Sequence, residues 1–216
     1  MRLTISKENY LKAIAEAQSE GEVVKAVTLS RWLHVSAPAV TMAIKRLKRD
    51  SLIRVDDEGR ISLLAAGREI ANRVLNRHHL IERMLTEIFG LEWYKVHDEA
   101  EQLEHAVSAD FERKLIEKLG SGGTCPHGNM AGVDSPGERR RLGMKTLDEA
   151  RPGEHLRVVS VFERDRSLLE LLDGLGIRPG VEVEVLSAGP RLEIRTATRT
   201  VTIQRSVAAR VWMRGS

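Results

Sequence analysis

S36-A-P-A-V-T-M-A-I-K-R-L-K-R-D-S-L-I-R-V-D-D-E-G-R-I-S-L63 reads as a helix followed at once by a tight hairpin. Ser36 offers an N-cap and Pro38 sits in the first turn. Val40, Ile44 and Leu47 recur at helical spacing and supply one buried stripe. From Leu52 the pattern shortens to two strands about D56-D-E-G59, a turn sequence. Upstream, V27-T-L-S-R-W-L-H-V35 predicts a short helix started by Thr28, with Leu29, Trp32 and Leu33 facing inward. Before it, residues 6–18 place Tyr10, Leu11, Ile14 and Ala17 on one helical face, with Ser6 as cap. Three helices and a hairpin within about 65 residues describe a winged helix-turn-helix.

Downstream, a helical pattern runs from about Ala65 to Ile88 and meets Gly90 at its end. Further helices are predicted over Tyr94–Val107 and Ser108–Leu119. Residues 121–143 are rich in Gly, Pro and charge and read as loop and linker. From Leu147 the texture changes to short alternating segments: L156-R-V-V-S-V-F162, V181-E-V-E-V-L186, R191-L-E-I-R-T196, V201-T-I-Q204 and V207-A-A-R-V-W-M213. A helix at about Ser167–Leu175 separates the first two. The fold expected is mainly α with a β-wing, ending in a small, mostly antiparallel barrel.

The chain has 216 residues, 42% hydrophobic and 30% charged, the composition of an ordinary soluble globular protein. No apolar run approaches the roughly 20 residues that span a bilayer, and the first ten residues show no signal-peptide core. Cys125 is the single cysteine, which excludes an intrachain disulfide. A cytoplasmic location fits. The net charge of +3 is unevenly spread. Residues 1–75 carry 13 basic and 9 acidic groups, residues 76–120 carry 6 and 10, and residues 121–216 carry 15 and 12. A basic N-terminal part beside an acidic centre suits one face for a polyanion and another for cations.

The helix after Ser36 stands second in the helix-turn-helix, the position that enters a major groove N-terminus first. Its opening turns present Ser36, Pro38, Ala39, Thr41 and Met42. Ser36 and Thr41 can hydrogen-bond, while Ala39 and Met42 can meet thymine methyls. Lys45 and Arg46, with Lys48 and Arg49, suit phosphates, and Arg54 and Arg60 flank the wing. No long Arg, Asn or Gln leads the helix, so shape readout would carry more of the specificity. Winged helices also serve as protein–protein modules; the basic charge tips the balance to double-stranded DNA.

K95-V-H-D-E-A-E-Q-L-E-H105 sets His97, Glu101 and His105 four residues apart on one helical stripe, with Glu104 beside the last. R77-H-H-L-I-E-R83 gives His78 and Glu82 the same spacing. One such pair is ordinarily a surface contact. Two sets in neighbouring helices, one already crowded with like charge, point to a divalent cation. Imidazole and carboxylate without thiolate suit Mn²⁺ or Fe²⁺. His79 points off the stripe, and His34 and His155 lack such neighbours. Cys125 and His127 in T-C-P-H-G-N129 have two-ligand spacing but no second pair, and read as a structural turn.

These segments resemble the DtxR/MntR family of metal-dependent transcriptional repressors along nearly the whole chain. E8-N-Y-L-K-A-I14, S36-A-P-A-V-T41, R77-H-H-L-I-E-R83, L91-E-W-Y-K-V-H-D-E-A100, E104-H105 and C125-P-H-G-N129 carry the likeness. It implies a winged-helix DNA-binding domain over residues 1–74 and a helical dimerisation and metal-binding domain with linker over 75–142. An SH3-like (FeoA-like) domain would cover 143–216. It implies one metal site at His78, Glu82 and His97, and another at Glu101, Glu104 and His105 with Asn9 from the first helix. Glu101 stands where iron-responsive members have Cys, which favours Mn²⁺, with Fe²⁺ the alternative. Lys12 occupies the place of a further first-helix carboxylate of the manganese type. The C-terminal domain would add an acid at Glu163 or Asp165, but Leu168 falls where the iron-type proteins have Gln. A homodimer that binds operator DNA, with no membrane and no small organic substrate as partner, is the expectation. The competing class, a carboxylate–His metal enzyme, lacks its motifs: Gln102 stands three residues before His105, and H-E-x-x-H is absent.

Overall fold

A computed structural model describes residues 3–130, 132 and 135–215. The chain divides into two compact units. One runs to His78 and takes in the short segment ending at Pro136; the other holds His79–Met130 and everything from Gly137 onward.

In the first unit, helix α1 spans Ile5–Ser19, α2 spans Ala26–Leu33 and α3 spans Ala37–Arg49. Thr4, not Ser6, caps α1, accepting from the Lys7 amide. At α2 the Thr28 hydroxyl accepts from the Lys25 amide at 3.1 Å and donates to the Val23 carbonyl at 3.2 Å. That helix stops at His34, whose φ of 52° cannot continue a right-handed turn. Ser36 takes the N-cap position of α3, and Pro38 follows in its first turn. Val40 and Leu47 are the buried side of α3, against a core that includes Leu11, Ile14, Leu29 and Leu52. Strands β1 (Ile53–Val55) and β2 (Ile61–Leu63) pair antiparallel with Val55 opposite Ile61. The turn between them is tied by Asp56, whose Oδ1 accepts from the Glu58 and Arg60 amides at 3.0 and 2.8 Å. The winged helix-turn-helix expected from the 36–63 stretch is therefore present.

Helix α4 covers Ala65–Arg83 and passes into a π-helical turn at Met84–Ile88. The expected single helix to Ile88 thus changes its hydrogen-bond pattern in its last five residues, as the insertion of an extra residue per turn does.

In the second unit, α5 (Val96–Leu103) and α6 (Ala109–Leu119) follow. Leu80, Ile81, Met84, Leu85, Val96, Ala100 and Leu115 form the helical core. The expected linker contains a helix, α7 (Pro136–Arg141). Positions 131, 133 and 134 of that linker lie outside the described residues. The rest is a six-stranded antiparallel sheet: β3 (Met144–Thr146), β4 (His155–Val161), β5 (Glu182–Ala188), β6 (Arg191–Arg195), β7 (Thr200–Gln204) and β8 (Val211–Gly215). Helix α8 (Arg166–Leu175) crosses between β4 and β5, and the short α9 (Arg205–Ala208) precedes β8. The strand order β3-β8-β4-β5-β6-β7 leaves β3 and β7 as edges. Among the described residues the six strands form an open antiparallel sheet, so the small, mostly antiparallel barrel expected is not closed. Its core joins α8 (Leu168, Leu169, Leu172) to Val158, Val161, Val183, Ile194 and Met213. Trp93, from the helical part of the same unit, is buried in that cluster and donates from Nε1 to Asp173 Oδ1 at 2.7 Å.

Candidate metal centre and nucleic-acid interface

Helix α3 turns its unburied side to solvent. Ser36, Pro38, Ala39, Thr41, Met42, Lys45 and Arg46 are all exposed. The Thr41 hydroxyl donates to the Ala37 carbonyl at 3.0 Å, so its remaining capacity toward a ligand is as an acceptor. Arg60 is exposed and held in the wing, with Nε 2.7 Å from Asp56 Oδ2 and Nη1 2.8 Å from Glu58 Oε2.

The acidic centre lies in the second unit. Helix α4 delivers His79 and Glu82, α5 delivers His97, the turn after α6 delivers Cys125 and His127, and the loop after β4 delivers Glu163. All six are buried. Atoms of His79, Glu82, Cys125 and Glu163 that can ligate a metal lie within 4.8 Å of one another. His127 Nδ1 lies 3.3 Å from Glu82 Oε1 and 3.5 Å from Glu163 Oε2. His97 Nδ1 lies 3.3 Å from Glu82 Oε1 and 3.9 Å from Glu163 Oε1. Cys125 Sγ stands 3.4 Å from Glu163 Oε2, and Asn129 Nδ2 donates to the same oxygen at 2.7 Å.

The turn reaches this position because Gly128 lies flat on β4. A Cβ there would come within 1.9 Å of the Val159 carbonyl oxygen, and φ is +83°. The Val161 amide donates to the His127 carbonyl at 2.9 Å and fastens the turn to the strand.

Two buried carboxylates need positive charge. Burial opposes the charge on His127, yet Glu82 and Glu163 push its pKa up to about 10. Burial and the Glu82 charge raise the Glu163 pKa. The His127 hydrogen bond and the charges of His79 and His97 outweigh them, holding it well below the usual carboxylate range. Burial, with the charges of Glu163 and Glu82, drives the Cys125 thiol well above its ordinary value. A divalent cation fits this donor set. It would take over the neutralising role of protonated histidine, and its binding would release protons.

The remaining expected ligands are placed as follows. His78 is fully buried one turn before Glu82 on α4, with Nδ1 3.0 Å from Lys12 Nζ. Glu104 is buried, with Oε1 3.3 Å from His105 Nε2. Glu101 accepts from Arg164 Nη1 at 2.9 Å and lies 3.7 Å from His97 Nε2. Asn9 is half-buried on α1. Of the two acids offered by the loop after β4, Glu163 enters the cluster. Asp165 is exposed and caps α8, accepting from the Leu168 amide at 3.0 Å. The sequence places His79 off the stripe and makes Cys125 and His127 a structural turn, yet all three stand in the cluster. The usable signal was the Cys–Pro–His–Gly turn itself, two donor types two residues apart.

Three family models match in order: the iron-dependent repressor N-terminal DNA-binding domain over residues 2–59, its metal-binding and dimerisation domain over 65–131, and the FeoA domain over 145–214. The diphtheria toxin repressor of Corynebacterium efficiens is 34% identical over 202 residues, spanning 89% of this chain and 87% of that protein. The chain belongs to the DtxR/MntR family of metal-dependent transcriptional repressors. The iron-dependent repressor IdeR of Mycobacterium leprae is 32% identical across 95% of each chain. A manganese-dependent transcriptional repressor, solved with manganese, superposes with a TM-score of 0.85 at 28% identity, covering 97% of this repressor and all of that chain. The function is repression of transcription under metal control, not catalysis. Iron and manganese regulators both stand among its relatives.

Proposed function

We propose that this repressor responds to Mn²⁺ and binds operator DNA as a homodimer in the cytoplasm. The metal reading rests on Glu101, an oxygen donor at a position where the family resemblance implies sulfur in iron-responsive members. Asn9, Glu101, Glu104 and His105 would hold one cation, and His78, Glu82, His97 and Glu163 the other, with Cys125 and His127 as further donors from the turn after α6. Bound cations supply the positive charge that lets these carboxylates share a site. Asn9 lies on α1, in the helical set that carries α3, so ligation there favours one presentation of the recognition helix. By linkage, operator DNA tightens metal binding by the same factor.

Residues 1–74 read DNA, 75–142 dimerise and hold metal, and 143–216 form an SH3-like module. Exposed Phe89, Phe111 and Ile116 suit a dimer face. Two recognition helices would then address half-sites about one helical turn apart, roughly 34–36 Å. Fe²⁺ is the second reading, favoured by the iron-dependent relatives and by the Cys125 thiol in the cluster.

The test is selection of duplexes from a random library with Mn²⁺, with anaerobic Fe²⁺, and with chelator. Enrichment under Mn²⁺ at lower metal concentration than under Fe²⁺ is expected. Equal enrichment in chelator would refute the switch.

A further inference from the structure

Glu163, Arg164 and Asp165 are consecutive, and each does a different job. Glu163 is held inside the buried cluster by Asn129 and His127. Asp165 caps α8. With both neighbours tethered, the Arg164 backbone has little freedom, and its guanidinium reaches α5 to donate to Glu101 at 2.9 Å. The Arg164 side chain is only 17% exposed, so the pair is partly withdrawn from water. Glu101 and Glu104 stand three apart on one helical face, where like charges repel. In the metal-free protein Arg164 supplies positive charge to that face.

We propose that Arg164 sets the metal threshold of this repressor, by occupying the Glu101 carboxylate that a cation must take over. The proposal rests on the reading of Glu101 as a metal ligand. The guanidinium and the cation compete for one carboxylate. Ligation therefore costs the Arg164–Glu101 pair, and the concentration of metal needed rises accordingly. Because Arg164 comes from the FeoA-matched part of the chain, that part acts on the metal site through a competing charge as well as through Glu163. Arg164 is a positioning residue, since it reaches the metal only through Glu101.

The test uses the full chain and Mn²⁺ alone, with free Mn²⁺ followed by electron paramagnetic resonance. R164A should bind Mn²⁺ about two- to fivefold more tightly than wild type, the worth of a partly exposed pair, with R164K close to wild type. Thermal unfolding supplies a second readout: R164A should melt below wild type in EDTA and match it in saturating Mn²⁺. Unchanged or weaker Mn²⁺ binding in R164A overturns the threshold. E101A separates the two ideas. If E101A weakens Mn²⁺ binding and R164A does not strengthen it, the threshold alone fails. If E101A binds as wild type, the ligand reading fails and the threshold with it.

Discussion

His127 donates from Nε2 to the carbonyl oxygen of Trp93 at 2.8 Å, and that bond aims its other ring nitrogen at Glu82 and Glu163. A carbonyl can only accept, so Nε2 carries a hydrogen whatever the charge of the ring. Nδ1 can therefore release its proton to solvent and offer its lone pair to a cation, the orientation that metal-bound histidines owe to their outer hydrogen bonds. His127→Ala should leave two buried carboxylates short of a counter-charge and cost the metal-free protein about 3–5 kcal/mol. Urea unfolding in EDTA and in excess Mn²⁺ checks this, with a smaller loss expected when metal is present.

The same pair of groups sets a pH profile. The folded pKa of His127, about 10, lies above its ordinary 6.5, so its proton stabilises the fold. That contribution is complete below 6.5 and disappears as pH rises through 10. Glu163 is shifted downward from 4.5, so its contribution is present above that value and lost as pH falls below it. Metal-free stability should therefore decline on both the alkaline and the acid side. A flat profile from pH 7 to 10 would contradict the charge assignment at His127.

Trp93 joins helices and sheet through both burial and a hydrogen bond. Trp93→Phe keeps most of the ring and removes the bond to Asp173, a loss of about 1 kcal/mol. Trp93→Ala should cost about 3–5 kcal/mol. Calorimetric unfolding of both variants measures the difference.

On α3, Lys45→Ala with Arg46→Ala should weaken binding to specific and nonspecific duplexes alike. The slope of log affinity against log salt should flatten by about two if each side chain neutralises one phosphate. Anisotropy titrations across a salt series provide the slope, and an unaltered one would place these side chains away from the backbone.

Cys125 brings a sulfur atom within 3.4 Å of Glu163 in the cluster. Cys125→Ser should leave Mn²⁺ binding within about twofold while weakening Zn²⁺ or Co²⁺ by about tenfold or more, following ligand softness. Competition calorimetry distinguishes the metals. Equal losses for Mn²⁺ and Zn²⁺ would make the thiol purely structural.

The winged helix was legible because its signals are local: Val40 and Leu47 recur on one stripe, and D56-D-E-G59 can hardly be anything but a turn. The helical spacing of His78 with Glu82, and of His97 with Glu101, was legible for the same reason. His79 was not. A stripe argument assumes one buried side, whereas α4 buries adjacent residues at its C-terminal end. Cys125 and His127 were read as a turn, and they do form one. Their burial follows from the fit of Gly128 onto β4, a contact with a strand some thirty residues later. Helix α7 has only six residues and no apolar period, so nothing in the run from Pro136 through Gly137 and Glu138 to Arg141 separates it from loop. Whether a six-stranded sheet closes depends on its two edges finding each other, which alternation within a strand does not encode.

The attachment of the Cys125–Asn129 turn to β4 bears on how this protein can be cut. Three family models in a row suggest three parts that could be separated at will. Yet β4 lends backbone groups to both His127 and Asn129, and the residues just after it lend Glu163. A truncation ahead of residue 143 would remove the floor on which this turn rests and leave Glu82 with fewer partners. The terminal sheet is a wall of the chamber that encloses Glu82, His127 and Glu163, and shortening the chain there is equivalent to a mutation in its lining.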